Sequence, residues 1–332
     1  MSDAPFSADP ILSVIVPVKD EEAAVPAFVT RVADVIAALG DPAATSYEIL
    51  FIDDGSTDAT MAAIAAAHLA NPRVRAISLS RNFGKEAALS AGLDHARGAA
   101  VVPMDVDLQD PPEVLGEMIA KWRTGFDTVY GVRRDRASDS LPKRLSADLY
   151  YRAHNLLSSD KIPHHAGDFR LLDRRVVDVI RTLPERNRFM KGLFAWSGFR
   201  STSVEYERVE RTLGTTKFRP WKLWTLALDG ITSSSTAPLR IWTYIGGSVA
   251  ILAFLYALFI ITKALFFGIS VPGYASLMVA VLFLGGLQLL SLGILGEYVG
   301  RIMTEAKQRP LYIIRDSIGM DARDMPSHAG KN

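Results

Sequence analysis

Between residues 11 and 134 the chain alternates short apolar runs with longer stretches whose apolar positions recur at helical spacing. Ile11–Val18, Tyr47–Ile52, Val74–Leu79, Ala99–Met104 and Asp127–Val132 have the length and composition of buried strands. Glu21–Leu39, Thr57–Ala70, Lys85–Arg97 and Glu113–Thr124 fall between them and read as helices. This alternation predicts an α/β domain, a mainly parallel sheet with helices on both faces. From Ser138 onward it decays into a mixed region without a clean sheet pattern. Within that region Phe189–Phe199 and Trp221–Ile231 combine Phe, Trp and Leu with Lys191 or Lys222. Such a composition suits helices lying in a lipid headgroup layer and equally suits amphipathic core helices; the position just before the apolar stretches favours the former.

The pattern changes again at Ile241. Ile241–Thr262 and Tyr274–Leu295 carry no charged residue, and each is long enough to cross a hydrocarbon core of about 30 Å. They predict two transmembrane helices. The chain then divides into an α/β domain at 1–210, a membrane-interface helical segment at 211–240, the two spans at 241–296 and a tail at 297–332. Arg240 precedes the first span and Arg301, Lys307 and Arg309 follow the second, whereas the linking loop holds only Lys263. That bias places the α/β domain and both termini on the cytoplasmic side of an inner-membrane, multi-pass protein. Residues 1–10 lack a basic start and Ile11–Val18 is too short for a signal-peptide core, so the N-terminus is expected to stay in the cytosol.

Composition narrows the chemistry. A net charge of +1 with 22% charged residues describes neither a broadly basic nucleic-acid binder nor an acidic tail. The absence of cysteine excludes thiolate nucleophiles, disulfides and Cys-ligated zinc. His154, His164 and His165 lack metal-like spacing with acids and read as surface or structural residues. Carboxylates, Arg and Lys are left to do the work.

In open sheets of this kind ligands bind beyond the carboxyl ends of the strands. Pro17 to Glu21, Asp53 and Asp54, Arg81 and Asn82, Asp105 to Asp110, and Arg133 and Arg134 fall there. Carboxylates, amides and arginines converging at five strand ends suit a metal-bridged diphosphate better than an apolar ligand. The sharpest segment is Asp105-Val106-Asp107-Leu108-Gln109-Asp110-Pro111-Pro112. On an extended chain Asp105, Asp107 and Gln109 would present oxygens to one side, a set for Mg²⁺ or Mn²⁺ rather than zinc. Plainer readings exist for each part. Asp53-Asp54-Gly55-Ser56 also makes a turn and a helix cap, and Arg133, Arg134, Arg136, Lys143 and Arg144 also fit a solvated basic loop. Phosphate capture by Arg forks is the sharper reading of Arg133.

Several linked motifs together resemble family 2 glycosyltransferases: Asp53-Asp54-Gly55-Ser56-Thr57-Asp58, Ser80-Arg81-Asn82-Phe83-Gly84-Lys85-Glu86 and the Asp105–Pro112 run. Gly167-Asp168-Phe169-Arg170-Leu171, Asn187-Arg188-Phe189-Met190-Lys191-Gly192 and the two-span tail ending Arg309-Pro310-Leu311-Tyr312 extend the resemblance to the polyisoprenyl-phosphate subgroup. It runs from about Leu12 to Arg315. The resemblance implies a GT-A, Rossmann-like catalytic domain, a divalent metal, and inverting transfer of a single sugar from a nucleotide-sugar, UDP-glucose first, to a polyisoprenyl phosphate such as undecaprenyl phosphate. It also implies site roles. Pro17, Lys19 and Glu21 hold the nucleotide with Asp54, Asp53 takes the base, and Asp105, Val106, Asp107 and Gln109 handle metal and diphosphate. Asp168 and Asp107 are the catalytic carboxylates, Arg133 and Arg144 meet phosphate, and Arg170 sits on the face of Asp168. Homo-oligomers are compatible with such a protein, and the lipid bilayer is its setting. Two departures matter. Lys19 stands where an aromatic that could stack on the base is usual, and the Gln-x-x-Arg-Trp signature of processive members is absent.

Rival readings fit less of the chain. A phosphohydrolase with an aspartyl nucleophile would carry its Asp-x-Asp after the first strand and a Thr where Gln109 stands. A nicotinamide-dependent dehydrogenase needs a Gly-x-Gly-x-x-Gly that does not open the first helix. A two-span scaffold leaves the carboxylate sets idle.

Overall fold

The computed structural model describes residues 11–40, 46–134, 166–186, 188, 190–207, 237–267 and 273–320. In chain order the elements are β1 (Leu12–Val18), α1 (Val25–Ala38), β2 (Tyr47–Asp53), α2 (Thr60–Ala70), β3 (Val74–Leu79), α3 (Lys85–His95) and β4 (Ala100–Pro103). They continue with α4 (Leu115–Arg123), β5 (Thr128–Arg133), β6 (Ala166–Asp173), α5 (Arg174–Thr182), α6 (Met190–Trp196) and β7 (Ser201–Tyr206). Two long helices, α7 (Ala237–Phe267) and α8 (Tyr274–Ala306), precede the last strand, β8 (Ile314–Ile318).

All eight strands join one sheet in the order β7-β5-β6-β4-β1-β2-β3-β8. The central strands β4, β1, β2 and β3 run parallel, as the strand-helix alternation predicts. Strands β6 and β8 run antiparallel to their neighbours, and β7 pairs parallel to β5. The stretch after Ser138 therefore supplies two strands: β6, over the Gly167–Leu171 run whose Asp168 and Arg170 share a face, and β7, which its sequence pattern does not announce. The C-terminal tail, read as a separate region, supplies the edge strand β8.

The central strands are apolar on both faces because both are covered. Val14, Val16, Ile49 and Phe51 point to a cluster with Phe28, Val32 and Ile36 of α1. Ile15, Leu50, Ile52 and Ile77 point the other way, onto Ala88 and Leu89 of α3 and Val176, Val177 and Ile180 of α5. Phe28 and Phe51 meet edge to face at 5.9 Å; truncating either to Ala costs about 3–5 kcal/mol. A buried Glu48 is fully engaged by Arg75, by the Ser13 hydroxyl at 2.5 Å and by the Arg97 amide at 2.8 Å, so its charge is compensated.

Helix α6 occupies the core of the stretch expected in the headgroup layer. Its Met190 and Phe194 are buried, and only Trp196 is largely exposed. Core packing, not lipid contact, thus accounts for its apolar residues. The companion stretch Trp221–Ile231 lies outside the described residues.

Helices α7 and α8 contain 31 and 33 residues. Among the described residues one stretch, Phe283–Ala306 in α8, is long and apolar enough to cross a membrane, with a mean hydropathy of 1.3 and no burial inside the protein.

Candidate active site

A cleft of about 380 Å³ opens at the carboxyl ends of β1 to β4. Pro17, Val18, Lys19 and Glu21 line it from β1, Asp54 from β2, Asn82, Gly84 and Lys85 from the β3–α3 turn, and Asp105, Val106 and Asp107 from β4. Its floor is built by local hydrogen bonds that the Asp-Asp-Gly-Ser sequence makes with neighbouring loops. Asp53 is fully buried; its carboxylate accepts from the Ser56 amide at 2.9 Å and the Ser78 hydroxyl at 2.7 Å. It is not part of the cleft lining, so the base contact expected of it has no open carboxylate face here. Asp54 does line the cleft, and its carboxylate accepts from the Phe83 and Gly84 amides at 2.7 and 2.9 Å. Burial raises the Asp54 carboxyl above the usual range despite those two amides. Gly55 has φ +68°, and a Cβ there would stand 2.6 Å from the Arg81 carbonyl carbon, so only glycine fits the turn.

The Lys19-Asp20-Glu21 loop is clipped to the same turn. Asp20, at φ +54°, accepts from the Thr57 amide at 2.8 Å, and the Glu21 amide donates to the Thr60 hydroxyl at 2.9 Å. These bonds hold residues 19–24 outside a helix, so α1 begins at Val25 and not at Glu21. Lys19 Nζ reaches the Gly55 carbonyl at 3.4 Å.

The segment after β4 does not continue as a strand. Val106 and Asp107 lie in a turn, and Leu108 adopts φ +54°. Gln109 is consequently buried, its backbone N–H donating to the Asp107 carboxylate at 3.2 Å. The one-sided presentation of Asp105, Asp107 and Gln109 is therefore corrected: the first two line the cleft and the third does not. Among the described residues no group of three or more His, Asp or Glu side chains could hold a metal by itself. Two cleft carboxylates nevertheless fit a hard cation of the Mg²⁺ or Mn²⁺ type, which takes one or two protein carboxylates and completes its shell with substrate phosphates and water.

Beside the cleft a charged cluster forms around Asp168. Lys85 Nζ stands 2.7 Å from Asp105 and 3.4 Å from Asp168, and Lys191 Nζ stands 3.6 Å from the other Asp168 oxygen. Burial pushes the Asp168 carboxyl up, but Lys191, Lys85 and Arg170 outweigh it and hold the group below the usual carboxylate range. Burial alone would lower the Lys85 ammonium pKa; the two carboxylates raise it, so Lys85 stays charged. Arg170 is buried, with its guanidinium 4.3 Å from the Phe194 ring centre. Glu86 accepts from the Met190 amide at 3.1 Å, and burial pushes its carboxyl up to about 6.

Not every expected residue comes to this place. Arg133, at the end of β5, hydrogen-bonds the Tyr206 hydroxyl, which in turn donates to Asp110; it is not part of the cleft lining. Arg144 lies outside the described residues. Conversely Lys85, Glu86 and Lys191 take central positions without having been assigned a role, although all three lie inside motif segments that carry the family resemblance.

Comparison with known proteins identifies the family. Residues 13–181 match Glycosyl transferase family 2, and residues 237–302 match the GtrB C-terminal hairpin. The chain is 48% identical over 310 residues to "Uncharacterized glycosyltransferase sll0501" of Synechocystis, covering 93% of this chain and 96% of that one. It is 52% identical over 306 residues to "SfII prophage-derived bactoprenol glucosyl transferase" of Shigella flexneri, covering 92% and 98%. Among solved structures it is similar to the mannosyltransferase PcManGT of Pyrobaculum calidifontis in complex with GDP-Man and Mn²⁺, at 18% identity and TM-score 0.41 over 86% and 88% of the two chains. With the matched domain, the matched hairpin and relatives aligned over nearly its full length, the chain belongs to glycosyl transferase family 2, in the polyisoprenyl-phosphate group that includes the bactoprenol glucosyl transferases.

Proposed function

We propose that this chain moves one sugar from a nucleotide-sugar, UDP-glucose first, to a polyisoprenyl phosphate of the undecaprenyl type, with inversion, at the cytoplasmic face of the membrane. The product would be a lipid-phosphate sugar for cell-envelope glycosylation. The observation that carries this reading is the pairing of a strand-end cleft bearing Asp54, Asp105 and Asp107 with the adjoining Asp168 cluster and its two lysines. The names of the relatives support the lipid acceptor.

In this reading a lipid-phosphate oxygen attacks the anomeric carbon while the bond to the nucleotide diphosphate breaks, a single displacement that inverts the centre. Asp105 and Asp107 would hold the divalent cation, which neutralises the leaving diphosphate when bound. A phosphate monoester has its second pKa near 6 and is largely dianionic at neutral pH, so the acceptor needs no general base. Asp168, already ionised, serves instead to orient Lys85, Lys191 and Arg170 and to stabilise positive charge growing at the anomeric carbon. Lys85 and Lys191 offset its repulsion of the incoming phosphate. Pro17, Lys19, Glu21 and Asp54 would bind the nucleotide, and Arg133 and Arg144 would meet the acceptor phosphate.

Helices α7 and α8 are read as a membrane hairpin. The stretch Ile241–Thr262 of α7 carries no charge, and β8 pairs with β3 after α8, so the chain must cross an even number of times. Purified protein in detergent, given undecaprenyl phosphate and a panel of labelled nucleotide-sugars with and without EDTA, tests the whole reading. Metal-dependent labelled lipid from one donor is expected; release of free sugar alone would point to a hydrolase and overturn it.

A further inference from the structure

The loop between α5 and α6 is gripped at two amides by carboxylates from distant parts of the chain. The Arg186 amide donates to both carboxylate oxygens of Glu305, at 2.9 and 3.0 Å, across 119 residues. Glu305 stands at the C-terminal end of α8, the helix with the membrane-length apolar stretch. Four residues beyond Arg186 the Met190 amide donates to Glu86 of α3, across 104 residues. The next residue is Lys191, whose ammonium faces Asp168 at 3.6 Å. Arg188 adds a further tie back to the end of α5, donating to the Leu183 carbonyl at 3.0 Å. Below, Phe194 of α6 rests on Arg170.

We infer that Glu86 and Glu305 are positioning residues that hold the backbone amides of Met190 and Arg186 and thereby set the adjoining Lys191 against Asp168, which makes the end of α8 part of the acceptor side of the site. The inference rests on the lipid-phosphate reading for its kinetic consequence. Its geometry does not. A carboxylate on a backbone amide is a charge-assisted bond of fixed direction, and two such bonds, at residues 186 and 190, restrict the backbone that leads directly into Lys191. Because Glu305 belongs to the helix that meets the bilayer and Glu86 to the helix that opens the donor cleft, the cation facing the acceptor is located by both. A shift of α8 along the membrane normal would move Arg186 and, through it, Lys191.

The test uses the full chain in detergent, comparing Glu305→Ala, Glu305→Gln and Glu86→Ala with Glu297→Ala, which removes only an exposed ion pair to Arg301 on the same helix. Hydrogen exchange read by mass spectrometry should show amides in peptides covering 183–191 exchanging roughly tenfold faster in Glu305→Ala and Glu86→Ala. Peptides from β1 to β4 should be unchanged, Glu305→Gln should lie between, and Glu297→Ala should match wild type. In the transfer assay the KM for undecaprenyl phosphate should rise roughly tenfold in the two Ala variants, with the donor KM within about twofold of wild type. Unchanged exchange at 183–191 in both Ala variants would overturn the inference, and so would equal loss of donor and acceptor affinity with faster exchange throughout the domain. If wild type transfers no sugar to any lipid phosphate, the functional reading fails, and the exchange measurement still decides the clamp.

Discussion

Lys85 and Asp168, 83 positions apart in the chain, meet at 3.4 Å beside the cleft. The contact follows from the antiparallel insertion of β6 next to β4, in which Ala100 pairs with Asp173 and Val101 with Leu172. Asp105, just past the end of β4, and Asp168, near the start of β6, come close enough for Lys85 at the start of α3 to reach both. One ammonium thus joins the carboxylate assigned to the metal and donor side to the carboxylate assigned to the acceptor side.

Replacing that link should separate activity from stability. Lys85→Met is expected to lower kcat roughly a hundredfold or more, within the range for removing one preorganised electrostatic group. Its ion pairs are partly exposed, so the melting temperature should move little. Steady-state kinetics beside a thermal melt would decide. A large loss of stability would make Lys85 a structural residue.

Asp168→Asn bears on who titrates. The wild-type carboxyl is held below its usual range, so it is ionised across the working pH and cannot supply an acid limb near neutrality. The variant should lose most of kcat at every pH while the limb near pH 6, owed to the acceptor phosphate, persists. Since Glu86 is also pushed up to about 6, a pH profile of Glu86→Gln is the needed companion, and it too should keep the limb. Disappearance of the limb in Asp168→Asn alone would identify Asp168 as a base.

Glu86 should leave its mark on stability instead. Its folded pKa, about 6, lies above the ordinary 4.5. The folded state therefore binds this proton more tightly than the unfolded state, and unfolding free energy falls as pH rises from about 4.5 to about 6. The full shift corresponds to about 2 kcal/mol, and solvent screening in a half-open site reduces that to about 1 kcal/mol. Asp168, with a lowered pKa, contributes in the opposite sense, but its loss comes at lower pH, as pH falls through the folded value. Denaturant melts of wild type and Glu86→Gln at pH 4.5 and 6.5 should show the variant gaining on wild type at the higher pH. Parallel behaviour would contradict the raised pKa.

Much of this arrangement is legible in the sequence, and the illegible parts share a cause. β3 matches its expected run, Val74–Leu79, to the residue because both faces are covered and every position is apolar or satisfied. β7, Ser-Thr-Ser-Val-Glu-Tyr, and β8, Ile-Arg-Asp-Ser-Ile, are edge strands with polar outer positions, so neither periodicity nor hydropathy marks them. The cleft carboxylates Asp54, Asp105 and Asp107 follow from the strand-end rule alone. Lys85, Glu86 and Lys191 do not, because their roles arise only when β6 and α6 fold back over α3, a long-range approach that local pattern does not encode. Gln109 departs from the extended presentation for a simpler reason: the left-handed Leu108 turns the segment inward.

Asp107→Ala tests the metal assignment. With one of two cleft carboxylates removed, transfer should fall below detection and nucleotide binding should lose its dependence on Mg²⁺ or Mn²⁺, while the fold survives because Asp107 lines an open cleft and not the core. Calorimetric titration of UDP with and without metal is the direct readout. Full turnover in excess EDTA would remove the cation from the mechanism.

Topology can be argued from the sheet itself. Residues 11–207 supply seven of the eight strands of the sheet, and residues 314–318 supply the eighth, hydrogen-bonded to β3 with Ala76 opposite Ile318 and Ser78 opposite Asp316. The pairing is reinforced by Arg315, which donates to the Ser78 hydroxyl at 2.9 Å, and by Tyr312, which donates to Asp94 at 2.9 Å. Chain before α7 and chain after α8 therefore lie on one side of any membrane, so α7 and α8 must cross either both or not at all. The apolar stretch of α8 stands unburied inside the protein, and the proposed reading places it in the membrane. In that reading Arg240 and Arg301, Lys307 and Arg309 at the open end, against Lys263 at the closed end, would set the orientation. A reporter fused after Asn332 should read cytoplasmic, and a tag within residues 263–272 should be labelled by an impermeant reagent on intact spheroplasts. If that tag is reached only after the membrane is opened, the hairpin does not span, and α7 and α8 lie along the cytoplasmic surface.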